Sequence, residues 1–104
     1  MSKRRNKVDY SQYTNEEIFY YFKEALFEGN FEVAENCIRE LLRRIDAGNV
    51  TSEEEKILYW KGMGLLCEMT NRDEEARQYF FKVLEVKPDD EESLEHIKRL
   101  SGLE

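Results

Sequence analysis

Between Trp60 and Pro88 the chain runs WKGMGLLCEMTNRDEEARQYFFKVLEVKP, and the spacing of large and small residues there constrains the fold more than any other stretch. Trp60, Met63, Gly64 and Cys67 follow one another at intervals of three, one and three. On a helix of about 3.6 residues per turn those positions share one face. A second helix from about Asp73 to Val86 puts Ala76, Phe80, Val83 and Leu84 on one face at the same period. Two antiparallel helices joined by the short turn Asn71-Arg72 would bury these faces against each other. Gly64 and Ala76 are expected where the backbones cross closely, with Phe80 filling the space a turn further on.

The rest of the composition agrees with helices. A single proline, five glycines and abundant Glu, Lys, Arg and Leu favour helix over sheet, and 104 residues suffice for one domain with its own core. Lys3, Arg4, Arg5 and Lys7 hold four of the 16 basic side chains, so the remaining 12 face 23 acidic ones and the body carries −11. An acidic body disfavours nucleic acid, anionic membrane and phosphate-rich ligands, and favours basic or neutral protein surfaces. No apolar run approaches the roughly 20 residues of a membrane span, and no apolar signal-peptide core opens the chain. A cytoplasmic protein is expected. Cys37 and Cys67 fall at apolar positions of different predicted helices, with no CxxC pattern, and are expected as reduced core thiols.

Taken in order, residues 1–13 are expected as a flexible basic tail and residues 14–102 as a single helical domain. Tyr10 and Tyr13 are spaced to cover an exposed end of that domain. Thr14-Asn15-Glu16-Glu17 is a capping box, in which the Thr14 hydroxyl accepts from the Glu17 N–H while the Glu17 side chain reaches back. The helix it starts ends at Gly29-Asn30; a second helix opens at Phe31 and closes at Gly48-Asn49. Ser52-Glu53-Glu54-Glu55 predicts another capping box and a helix to about Thr70. After Pro88, Asp89 is a plausible cap for a last helix with Leu94, Ile97 and Leu100 as its apolar stripe, ended by Gly102.

The pattern Trp60-x2-Met63-Gly64-x2-Cys67, then Ala76-x3-Phe80, then Pro88, resembles the tetratricopeptide repeat family. The earlier hairpin, Ile18 to Ala47, resembles it in part: Ile18, Tyr21, Phe22 and Ala25 precede Ala34 and Ile38, but Phe22 stands where the family prefers a small residue and no proline closes the unit. Ala34 and Ala76 are 42 residues apart, against roughly 34 in a regular repeat, so an insertion is expected between the hairpins. The resemblance implies an all-α fold of antiparallel helical hairpins stacked as a short right-handed solenoid, about five helices including a C-terminal capping helix. It also implies a non-enzymatic adaptor or scaffold, in which the first helix of each pair lines a groove for a peptide or helix of a partner protein. Carried onto this chain, that groove presents Glu16, Phe19, Lys23, Leu26 and Phe27 from the first hairpin, with Leu58, Lys61, Leu65, Glu68 and Met69 from the second. One subclass of the family grips a chaperone's C-terminal carboxylate with lysines and asparagines. Lys23 occupies a clamp position, yet Leu65 stands at its counterpart and no Asn accompanies either, so that clamp is not reproduced.

Nothing in the sequence calls for catalysis, a metal or another cofactor. His96 is the single histidine and is expected at the surface or rim, while the carboxylates cluster at helix starts, where the dipole accounts for them. The run Ile18-Phe19-Tyr20-Tyr21-Phe22 wraps more than one face of a helix, which makes a homodimer or other self-association through the first helix the rival reading. Nucleic-acid contact through Lys3, Arg4, Arg5 and Lys7 ranks last.

Overall fold

The computed structural model describes residues 8–102; the expected basic stretch of Lys3, Arg4, Arg5 and Lys7 lies outside them, as do Leu103 and Glu104. A 3-10 turn, Tyr10–Gln12, precedes five helices: α1 (Asn15–Phe27), α2 (Phe31–Asp46), α3 (Glu53–Met69), α4 (Asp73–Val86) and α5 (Glu91–Leu100). No strand occurs among the described residues. The strongest packing joins consecutive helices, and the molecule is elongated, 49 × 29 × 19 Å.

Local chemistry sets the boundaries. At α1 both arms of the capping box form: Thr14 N donates to Glu17 Oε1 at 2.9 Å, and Glu17 N donates to Thr14 Oγ1 at 3.1 Å. At α3 only one arm is seen. Glu55 N donates to Ser52 Oγ at 3.2 Å, while the Glu55 carboxylate accepts from Tyr59 Oη at 3.3 Å, a turn further along. The cap of α5 is Asp90, not Asp89: Asp90 Oδ2 accepts from Ser93 N at 3.0 Å. Each of the first three helices ends the same way, with a left-handed residue letting the following N–H reach back five residues to an otherwise orphaned carbonyl. Gly29 (φ +79°) serves α1, with Asn30 N donating to Ala25 O at 2.8 Å. Asn71 (φ +65°) serves α3, with Arg72 N donating to Cys67 O at 2.8 Å. The two turns lie 42 positions apart, the same offset as Ala34 and Ala76, so each hairpin is internally in register with the other. The extra length falls between them. α2 runs two residues past the point equivalent to the end of α4, and α3 starts four residues before the point equivalent to the start of α1.

α3 is the middle of the stack, and two glycines let it be so. Residues two apart on a helix point to nearly opposite sides. A Cβ on Gly62 would lie 3.0 Å from the Phe22 ring, 3.2 Å from Ile38 and 3.3 Å from Phe19, all on the first hairpin. A Cβ on Gly64 would lie 2.8 Å from the Phe80 ring on α4. The nearest neighbour of Gly64 is thus the Phe80 ring, small against large. Ile18, Phe22, Ile38, Leu41, Tyr59, Met63, Leu66, Ala76 and Phe80 join one continuous core, in which Cys37 and Cys67 are buried as free thiols.

Both ends of the stack are tied down. Part of the stretch 1–13 expected as a flexible tail belongs to the folded body: Tyr10 packs on the core, and Arg44 donates to the carbonyl oxygens of Tyr10 (2.7 Å) and Tyr13 (3.0 Å). At the other end α5 turns Ser93, Ile97 and Leu100 inward and leaves Leu94 exposed, which corrects the expected Leu94 stripe. Asp90, His96 and Arg99 fix that rotation by their contacts with α3 and α4. The Ser93 hydroxyl is buried with no hydrogen-bond partner among the described residues. No described helix is long and apolar enough to cross a membrane.

Candidate partner-binding face

α1 and α3 lie side by side and run the same way. Phe19 meets Tyr59 with ring centroids 5.3 Å apart, and three residues on along each helix Phe22 meets Gly62. By the same offset Leu26 and Phe27 fall at the level of Leu66 and Cys67, so exposed residues of α1 and α3 flank a common seam.

Most of the residues expected to line a groove are accessible on it, in unequal degree. Phe27 is 93% exposed. Leu58, Leu65 and Met69 recur at seven and four residues, so they form a stripe along α3, between 37% and 46% exposed. Glu16 and Lys23 are exposed on α1. Phe19 and Leu26 are half-buried and belong to the floor: Phe19 stacks on Phe22 at 5.4 Å and carries the Lys23 ammonium 5.3 Å above its ring. Tyr20, which the sequence reading left out of the groove, stands exposed next to this face.

Lys61 and Glu68 are committed elsewhere. Lys61 Nζ lies 3.2 Å from Asp90 and 2.7 Å from Glu92, and Glu68 binds His96 Nδ1 at 2.8 Å and Arg99 Nε at 3.1 Å. Burial disfavours the Lys61 charge, but the hydrogen bonds to Glu92 and Asp90 outweigh it and hold the ammonium above its ordinary range. Asp90 is likewise pushed up by burial, yet the bonds from Ser93 and Lys61 hold it below the ordinary carboxylate range. His96 is the keystone of this clasp rather than a free rim residue, its ring stacked on Phe80 at 4.4 Å and nearly parallel to it. So α5 closes one border of the face and leaves the Leu58–Leu65–Met69 stripe open.

Reactive chemistry is sparse. Burial pushes the Cys67 thiol up to about 11 and raises Cys37 as well, the reverse of what a nucleophilic thiolate needs. No group of three or more potential metal ligands occurs among the described residues. A shallow polar hollow lies between the start of α1 and the end of α2, lined by Ser11, Thr14, Asn15, Arg43 and Arg44 among others. Its two guanidinium groups already bind Glu40, and Arg44 also binds Asn15 at 2.8 Å, so little donor capacity is left for an anion. Set against protein-family models, curated proteins and solved structures, the chain matches none of them.

Proposed function

We propose that the chain is a non-enzymatic protein-interaction module, a short repeat-like stack whose α1–α3 face takes an apolar-anchored peptide or helix of a partner protein. The observation that carries this reading is the uncovered stripe Leu58, Leu65 and Met69 beside the fully projecting Phe27. Scattered apolar residues on a surface need no explanation, whereas a row of Leu and Met along one groove edge suits a partner's apolar side chains. The constant offset of 42 between the hairpins supports a tetratricopeptide-like solenoid with an enlarged joint. The Lys61 and Glu68 charges are neutralised internally by α5, so the face selects by shape and apolar contact more than by charge.

Peptide-display selection on the full chain tests this. Enriched sequences should carry spaced apolar anchors, and their binding should be lost in Leu65→Glu and in Phe27→Ser while Glu53→Gln leaves it intact. Enrichment of no sequence, or binding indifferent to both changes, would remove the groove reading.

A further inference from the structure

The outer side of α1, away from α3, carries a second kind of surface. Glu17, Tyr20, Tyr21, Glu24 and Glu28 recur at helical spacing along it, and all five are exposed. The tyrosines are not scattered. Tyr21 meets Tyr13 edge to face with centroids 6.1 Å apart at 87°, and meets Tyr20 at 5.5 Å and 69°, so three rings make one patch at the end of the stack. None of the three belongs to the buried core.

The charges around the patch decide what it fits. On the neighbouring helix α2, two acids are neutralised within the fold: Glu35 by Arg39 and Arg72, Glu40 by Arg43 and Arg44. On the outer side of α1 the carboxylates of Glu24 and Glu28 stand without a cation of the same helix beside them, because Lys23 turns to the opposite edge over Phe19. Arg44, behind the patch, is occupied by Glu40, Asn15 and the carbonyl oxygens of Tyr10 and Tyr13. Ring faces attract cations through their quadrupole, and carboxylates pair with the same cations in bidentate geometry.

We propose that the outer face of α1 docks a basic, arginine-rich segment of a partner protein, with guanidinium groups over Tyr20 and Tyr21 and paired with Glu24 and Glu28. Face to face, a second copy of the chain is a poor occupant. Two such faces brought together oppose Glu17, Glu24 and Glu28 to their own like charges. Nucleic acid and anionic lipid are repelled for the same reason. The site borders the α1–α3 groove at Tyr20 and does not rest on it.

Calorimetric titration of the full chain with a capped synthetic peptide of alternating arginine and glycine tests the proposal. The arginine peptide should bind, the same peptide with citrulline for arginine should not, and added salt should weaken the interaction. The double change Tyr20→Ser with Tyr21→Ser should weaken binding roughly tenfold, with only a small fall in melting temperature from the lost ring contacts, and Glu24→Gln with Glu28→Gln by a similar factor at unchanged melting temperature, because these side chains are exposed. Glu53→Gln with Glu54→Gln, exposed acids at the start of α3, should change the affinity by no more than about twofold. Leu65→Glu should leave it unaltered, which separates this face from the groove. An equal loss in the Glu53 and Glu54 variant would reduce the effect to overall charge and overturn the proposal. So would absence of binding, or a concentration-dependent dimer in sedimentation that the tyrosine changes dissociate.

Discussion

The two hairpins solve the same packing problem with their volumes transposed. At equivalent positions the first hairpin has Phe22 on its leading helix and Ile38 on its second, whereas the other hairpin has Gly64 and Phe80. All four are buried. In the second hairpin the glycine admits the aromatic ring of its own partner helix; in the first, the Phe22 ring reaches across to Gly62 of the neighbouring hairpin. The space filled is conserved over pairs of residues and across the joint, not position by position. Cores tolerate such exchanges where total volume and pattern are kept. A hairpin that departs from a repeat pattern at its small residue can therefore still stack, provided its neighbour supplies the missing room.

Changes at the two glycines break the comparison most sharply. Gly64→Leu should abolish the cooperative thermal transition or lower stability by about 3 kcal/mol or more, since the buried Phe80 ring it meets is also stacked on His96 and has little room to give way. Adding Phe80→Ala should recover a large part of that loss in denaturant melts, because it returns the volume. An unaltered melting temperature for the single variant would falsify the packing described for α3 and α4. Gly62→Ala should cost far less, within about 1 kcal/mol: its contacts are two ring edges and a methyl group at 3.0 Å or more, and alanine regains about 1 kcal/mol of helix propensity.

The smallest expected effect concerns the bond between the hairpins. Arg72 donates to both oxygens of Glu35, at 3.0 and 3.1 Å, linking the turn before α4 to α2. The hydrogen bond from Arg72 holds the Glu35 carboxyl below its ordinary range, despite partial burial. Because the folded-state pKa lies below the unfolded one, this stabilisation is complete above about pH 5 and is lost as pH falls through the folded value. Glu35→Gln should cost about 0.5–1 kcal/mol at neutral pH and flatten part of the acid limb of a stability–pH curve. An acid limb identical in the two proteins would show that the link between the hairpins carries no stability.

Helix number, order and most boundaries were legible in the sequence because caps and helical periodicity are local. Thr14, Gly29, Asp73 and Val86 mark their elements as expected. Departures came where a side chain had a tertiary partner. Glu55 serves Tyr59 rather than completing a cap, Asp90 displaces Asp89 because Lys61 draws it inward, and Leu94 rotates out because His96 anchors α5 on Phe80. For the same reason Lys61 and Glu68 look like groove residues at helical spacing and turn out to clasp α5. No local pattern tells a free surface charge from one with a partner 29 residues away. The acidic tyrosine stripe is legible on a helical wheel, since Tyr20, Tyr21, Glu24 and Glu28 are spaced by one, three and four, although two of its residues lie within an aromatic run that otherwise reads as core.

The arrangement in which each helix rests chiefly on its sequence neighbours also has a kinetic meaning. Contacts close in sequence need only small loops to be closed, so such a chain should fold quickly, starting wherever an adjacent pair first holds. α3 has neighbours on both sides, whereas α1 and α5 are terminal. Amide hydrogen exchange should accordingly find the slowest protons around Met63, Leu66 and Cys67, with α1 and α5 opening first by separate low-energy fluctuations. Uniform protection along all five helices would instead mark a single cooperative unit. The two ends could then loosen, or tighten on a bound segment, without the middle of the molecule unfolding.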